Sequence, residues 1–246
     1  MIVRNHAPDR VPRVLMTTCL FLSFRSAATP STVENSKLDA LVRTTPKLAK
    51  GLLHAAASAS DPYVKDGPTP SLVLQLYFTE LPDLENALSP RGHLAALASS
   101  AEFPTLAHAE IAHQATFVRP FPVPEPAFKT PRGEPHCTYL VSYEGEAEDL
   151  NAWHAHYFGS HISHMAEFPG IRELEIYTRV DWVSLLPWTR QNFMQRNKVV
   201  FDSTDALQSA LHSPVRHAMR DDFKRFPKFT GPNNHFAMTT HVVRPQ

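Results

Sequence analysis

Cysteine is almost absent from this 246-residue chain, and neither sign of charge prevails. The two cysteines, Cys19 and Cys137, form no CxxC or other close pair, which leaves no case for a disulfide framework or a cysteine-ligated zinc site. A reducing cytoplasm is the simplest compartment for such a chain. Lys plus Arg and Asp plus Glu balance at 24 each, so the long-range field that draws nucleic acid or an anionic membrane surface is missing. Neither partner is expected. A spanning apolar run is missing too: residues 14–24 are interrupted by Thr17, Thr18 and Ser23, and crossing a bilayer takes about 20 residues. Arg4, Arg10 and Arg13 before this run, with Ser26, Ala27 and Ala28 after it, imitate a signal peptide; a buried strand is the better reading. No GxGxxG, P-loop, GxSxG or HExxH string occurs, which removes support for nucleotide cofactors and for those hydrolase and protease mechanisms. No cofactor is expected.

What the chain has in excess is histidine, 14 residues of the side chain that most readily moves protons or binds metal near neutral pH. It also repeats itself. A shift of 123 positions matches Phe78 to Phe201, Leu84 to Leu207, Ala87 to Ala210, Leu88 to Leu211, Ala95 to Ala218, Phe103 to Phe226 and Pro104 to Pro227. Val118-Arg119-Pro120 recurs two residues out of that register as Val243-Arg244-Pro245. A long match of mostly apolar positions points to one supersecondary unit used twice.

Apolar alternation and the 3.6-residue period give each unit the order strand, helix, strand, strand, helix, strand. In the second half the strands fall at residues 138–143, 172–182, 197–201 and 236–243. A helix runs from the acidic stretch 146–149 to the Pro169-Gly170 stop, and Ser203 or Thr204 caps a second through Asp222, with a break at Pro214. The first half reads as strand 14–24, helix 33–56, strand 72–78, helix 81–97 and strand 110–118, with its second strand unassigned. Residues 121–135, holding Pro122, Pro124, Pro126, Pro131 and Pro135, form a semi-rigid linker. The expected division is a degenerate unit at 1–120, a linker at 121–136 and a second unit at 137–246. A four-stranded sheet with helices on one face leaves its other face bare, so the fold class expected is α+β, with tandem ferredoxin-like units closing on each other as an intramolecular dimeric barrel.

From Leu150 the sequence reads LNAWHAHYFGSHISHMAEFPGIR. At about 100° per residue, Leu150, Trp153, Tyr157, Met165 and Phe168 share one face, with His154, His161 and His164 on or beside it and His156 turned to solvent. Imidazoles on a buried stripe cost desolvation unless each finds a partner. They are either satisfied core histidines, or a pocket in which a neutral imidazole serves as acid or base. His161 and His164, at i and i+3, can also share a metal, although no acidic or cysteine ligand is placed beside them.

The string from Trp153 to Arg172, with Tyr-Phe-Gly-Ser-His at 157–161 and Phe-Pro-Gly-Ile-Arg at 168–172, resembles the EthD family of dimeric α+β barrel proteins. The resemblance covers residues 137–246 and implies a ferredoxin-like unit that pairs into a barrel, with the family's helix histidine at His161. It also implies a small apolar pocket for a partly aromatic or lactone-like compound. The first half has Thr44-Thr45-Pro46-Lys47-Leu48 and Gly51-Leu52-Leu53-His54 where that string would stand, so one active pocket is expected, with His54 a core residue.

The expectation is a cofactor-independent lyase or isomerase of aromatic-compound catabolism. His161, Tyr157 and His154 are its candidate catalytic residues, and Trp153, His164, Met165, Phe168, Tyr143 and Arg172 its substrate-binding ones. The alternative is a protein of the same fold that binds a small ligand, or heme, without chemistry. Two such chains can pair as a homodimer. Asp221, Asp222, Lys224 and Arg225 read as a solvated helix end, with Asp222 the one able to orient an imidazole. Arg190, Arg196 and Lys198 read as a solvated loop able to meet an anionic group, and His235 and His241 bracket the last strand without a placed partner.

Overall fold

The computed structural model describes residues 17–28, 30–64 and 66–244. In the first half these form Thr18–Arg25 (β1), Thr32–Thr44 (α1), Leu48–Ala56 (β2), Leu72–Phe78 (β3), Leu81–Ala87 (α2) and Glu110–Phe121 (β4). The second half opens with His136–Tyr143 (β5) and Leu150–His156 (α3), then a π-helical turn at Tyr157–His161 and Ile162–Ala166 (α4). It continues through Ile171–Arg179 (β6), Thr189–Arg190 (β7), Gln195–Phe201 (β8), Thr204–Leu211 (α5), Pro214–Phe223 (α6) and Asn233–Arg244 (β9).

Eight strands close a ring in the order β1-β3-β2-β9-β5-β8-β6-β4 and back to β1, every pair antiparallel, with short β7 added parallel to β4. Within each half the spatial order is fourth, first, third, second. The second strand of each half then pairs with the last strand of the other, β2 with β9 and β4 with β6. This is the α+β barrel of two ferredoxin-like units. Closure solves the problem of the bare sheet face, because each sheet covers the other and no strand edge of the ring stays open.

Strand alternation sorts the side chains into three layers. Leu20, Leu22 and Phe24 of β1 and Leu72, Leu74, Leu76 and Phe78 of β3 turn outward, under the first-half helices. Tyr139, Val141 and Tyr143 of β5 and Leu174 and Ile176 of β6 do the same under α3 to α6. Cys19, Phe21, Leu52, Val73, Tyr77, Leu140, Tyr177 and Met238 fill the barrel interior. Both cysteines are buried and unpaired. Among the described residues no helix is long and apolar enough to cross a membrane.

Helix α1 ends at Thr44, not at residue 56. Thr45 caps it, Lys47 takes a positive φ of 59°, and the chain returns as β2, the strand that the sequence left unassigned. The stretch LAKGLLHAA carries good helix formers, but β3 and β9 on either side claim its backbone hydrogen bonds. His54 therefore lies inside the barrel, held between Gln75 and Thr240, and is a core residue. The second predicted helix of that half stops at Ala87, and a 3₁₀ turn follows at His93–Ala98. Elements β2 and β6 match end to end in the register that joins Lys50 to Glu173, 123 residues apart, and so do β4 and β9. The Val-Arg-Pro match, two residues off, is not the structural register; a slip of two keeps each residue on its own face. Residues 14–16, Arg4, Arg10, Arg13 and Pro245 lie outside the described residues.

Candidate functional site

Helix α3 starts where the Asp149 side chain accepts the Ala152 N–H. It runs regularly to His156 and then widens into the π-helical turn at Tyr157–His161, which includes Gly159. A π turn takes in one extra residue, so everything beyond it is turned back by about 100° from a 3.6-residue wheel. This turn decides which histidines meet. His161 swings toward α6, and its Nδ1 lies 2.8 Å from Asp222 Oδ2. Ser160 Oγ donates to the other carboxylate oxygen at 2.8 Å, and Arg225 reaches it at 2.7 Å. His156 is not in open solvent: its Nε2 stands 3.2 Å from Asp222.

Asp222 is fully buried and is no solvated helix end. Burial raises its carboxyl, but the hydrogen bonds from Ser160 and His161 outweigh this and hold it below the usual carboxylate range. Burial pushes the His161 imidazole down to about 4, against the opposing pull of the Asp222 hydrogen bond and charge. At neutral pH the ring is therefore uncharged and donates its Nδ1–H to Asp222. The Nε2 lone pair is left over, and among the described residues it has no hydrogen-bond partner.

His161 lines a cavity of about 40 Å³ between the second-half helices and the outer face of the sheet. Tyr143, Met165 and Phe168 share it, and Arg216, Asn197 and Tyr139 are among its polar lining. Trp153 and Tyr157 do not reach it. They are stacked at 5.0 Å behind it as fully buried core, and the Tyr157 hydroxyl touches Met165 Sδ at 3.7 Å. His154, on the other side of the π turn, packs against Phe158, and burial with the charges of Arg119 and Arg179 lowers the pKa of its imidazole. His164 does not line the cavity either. Arg172 belongs elsewhere: it pairs with Asp202 at 2.7 Å and with Glu125, fastening the Pro-rich segment to the second half.

A component that the sequence did not reveal comes from the first half. The loop after β2 crosses to the second half, where Asp61 accepts Arg216 Nε at 2.8 Å and the Tyr139 hydroxyl at 3.0 Å. Ser60 is tied to Gln208, and Asp66 to His235, which thereby gains a partner. Val64 of this loop lines the His161 cavity. A second cavity of about 300 Å³ shares Val64, Tyr139 and His235 with the first, and together they reach the lower end of the ~300–1,000 Å³ usual for ligand clefts. As it stands the inner cavity admits about three waters, so a larger ligand requires the loop to move.

Lys198 and Arg196 are not in a solvated loop; both point into the barrel, Lys198 bonded to Glu173 and Glu175 and Arg196 to Gln114 and Gln191. Arg190 stacks on Trp182 at 4.4 Å. Among the described residues no three His, Cys, Asp or Glu side chains gather as a metal site.

No protein-family model matches the chain, and no curated protein does. Solved structures do. An anthrone oxidase-like protein is 12% identical, with 94% of each chain covered and a TM-score of 0.58. A candidate monooxygenase from Fusobacterium nucleatum subsp. nucleatum is 11% identical, again with 94% of each chain covered, at 0.57. The fold is that of the dimeric α+β barrel proteins. An ethyl tert-butyl ether degradation (EthD) family protein from Bacillus halodurans is 23% identical over 40% of this chain and 96% of its own, with a TM-score of 0.33. At that score the likeness to the EthD family stays one of local sequence.

Proposed function

We propose that the second half is a cofactor-independent enzyme of small-molecule catabolism in which His161 Nε2 takes a proton from an acidic carbon. The observation that carries this reading is the buried His161–Asp222 pair, which presents an uncharged nitrogen to a cavity while fixing the proton on the other nitrogen. As the C–H bond breaks, its electron pair moves onto a neighbouring carbonyl oxygen. The Arg216 guanidinium and the Asn197 amide, on the same cavity wall, are the donors for that oxygen. Asp222 meets the imidazolium that forms. Return of the proton to another carbon gives an isomerase, and loss of a leaving group gives a lyase. Tyr143, Met165 and Phe168 bind the apolar body of the substrate; Tyr157 and Trp153 contribute by packing behind it. The anthrone named for one structural neighbour is itself a carbon acid of the proposed class.

The boundaries at 1–120, 121–136 and 137–246 belong to this proposal, with the first unit supplying the covering loop. A homodimer also belongs to this proposal, and sedimentation velocity would detect it.

Two measurements test the reading. In ¹⁵N spectra at pH 7, His161 should be neutral and protonated on Nδ1; a cationic ring or the Nε2–H form would sink the base assignment. In D₂O, wild-type protein should exchange the acidic hydrogen of anthrone or of cyclic lactone and 1,3-dicarbonyl compounds, and H161A should not. The second reading, binding without chemistry, predicts a ligand recovered unexchanged.

A further inference from the structure

The geometry points to a second ligand site inside one mouth of the barrel, a pocket for a small amphipathic organic anion held by Lys50. It is separate from the His161 cavity, because its floor lies on the inner face of the sheet and His161 lies beyond the outer one. The cavity measures about 530 Å³, within the range that binds small molecules, and is roofed by residues 128–134 of the Pro-rich segment. Its apolar wall is Leu52, Phe128 and Val242, with the His136 ring 5.2 Å from that of Phe128. Phe128 and Val242 are 41% and 42% exposed, two of the five large apolar side chains left uncovered among the described residues, and both face this one space. Apolar surface collected in a concavity is what a ligand covers.

The polar floor selects the sign of the ligand. Lys198, fully buried, reaches Glu173 at 2.8 Å, Glu175 at 2.7 Å and the Tyr77 hydroxyl at 2.8 Å, so all three of its N–H bonds are used. Lys50 has one longer contact, 3.3 Å, to the same Glu173 oxygen, and its ammonium stands 5.1 Å above the Tyr77 ring. Among the described residues it has no other hydrogen-bond partner, which leaves two N–H donors facing the cavity. Burial and the charge of Lys198 both work against the Lys50 ammonium, and a bound anion would relieve them. A cation would meet a Glu173 oxygen already shared by two ammonium groups. At the rim Arg132 adds a further donor for an acidic headgroup, with Glu134 beside it as a counter-charge.

The probe is 1-anilinonaphthalene-8-sulfonate, an aromatic anion that fluoresces when removed from water, with phenylacetate and phenethylammonium as competitors of opposite charge. Wild-type protein should bind it at one site, and phenylacetate should displace it. Lys50→Met and Val242→Glu should each weaken binding about tenfold or more while leaving the melting temperature near that of wild type. His161→Ala should leave this binding unchanged, which separates the site from the catalytic proposal. Absence of binding, binding by both variants as tight as that of wild type, or displacement by phenethylammonium as readily as by phenylacetate would overturn the inference.

Discussion

Asp222 on α6 holds Nδ1 of His161 at 2.8 Å although the two residues are 61 positions apart, and Ser160, next to His161, donates to the same carboxylate. Two elements are thereby locked together. Asp222→Asn keeps the shape but can donate to Nδ1 and stabilise the tautomer with its proton on Nε2. Proton abstraction should then fall by about 10²–10⁴ with little change in KM. Steady-state kinetics on any exchange-competent substrate checks this. Equal losses from D222N and from Tyr157→Phe would point to general disruption of the helix instead.

Asp61 reaches from the first half to Arg216 and Tyr139 of the second, with its carboxylate almost fully buried. Asp61→Ala strands the Arg216 guanidinium and should cost about 3–5 kcal/mol of stability. Its specific signature is faster amide exchange in residues 57–64 and readier entry of ligand to the His161 cavity. Uniform exchange across the barrel would show that the loop is no cover.

Acid should unfold this protein early. Burial pushes His161 down to about 4, His54 to about 3, with the charge of Lys198 adding to the effect, and His136 to about 4. The unfolded chain takes up these protons near pH 6.5, so between 6.5 and 4 it binds more protons than the folded one, and stability falls as pH falls. For His161 alone the loss is on the order of 3 kcal/mol across that window. Denaturant midpoints at pH 7, 5.5 and 4.5 measure it, and a flat profile would contradict the assignment.

Among the described residues Lys198 is the one fully buried cation between Glu173 and Glu175. Lys198→Met leaves Glu175 without its cation and Glu173 with only the longer Lys50 contact, and should cost about 3–5 kcal/mol. Adding Glu173→Gln and Glu175→Gln should recover part of that loss in urea titrations. No recovery would mean that packing, not charge, makes Lys198 indispensable.

Strand alternation and the cap at Ser203 could be read from local residues, and so could the need for the sheets to close on each other. Strand β2 could not, because Leu48–Ala56 is helical by composition and becomes a strand only through neighbours that lie far away in the chain. His161, Tyr143, Met165 and Phe168 were legible as a cavity wall, whereas the π turn broke the wheel that had put His154 beside them. Asp61 left no local signal at all. Its meaning lies in a crossing between halves that neither half encodes alone.

The seam between β2 and β9 has a temporal consequence. His54 and Thr240, hydrogen-bonded across it, are 186 residues apart. During synthesis β2 emerges well before β9 and can pair with β3, but its other edge waits for β9 to leave the ribosome. Until then the nascent protein carries an unsatisfied strand edge, a template for pairing with another copy. Slow C-terminal translation or truncation before residue 233 should therefore divert this chain to aggregates, and the barrel becomes safe only with its final strand.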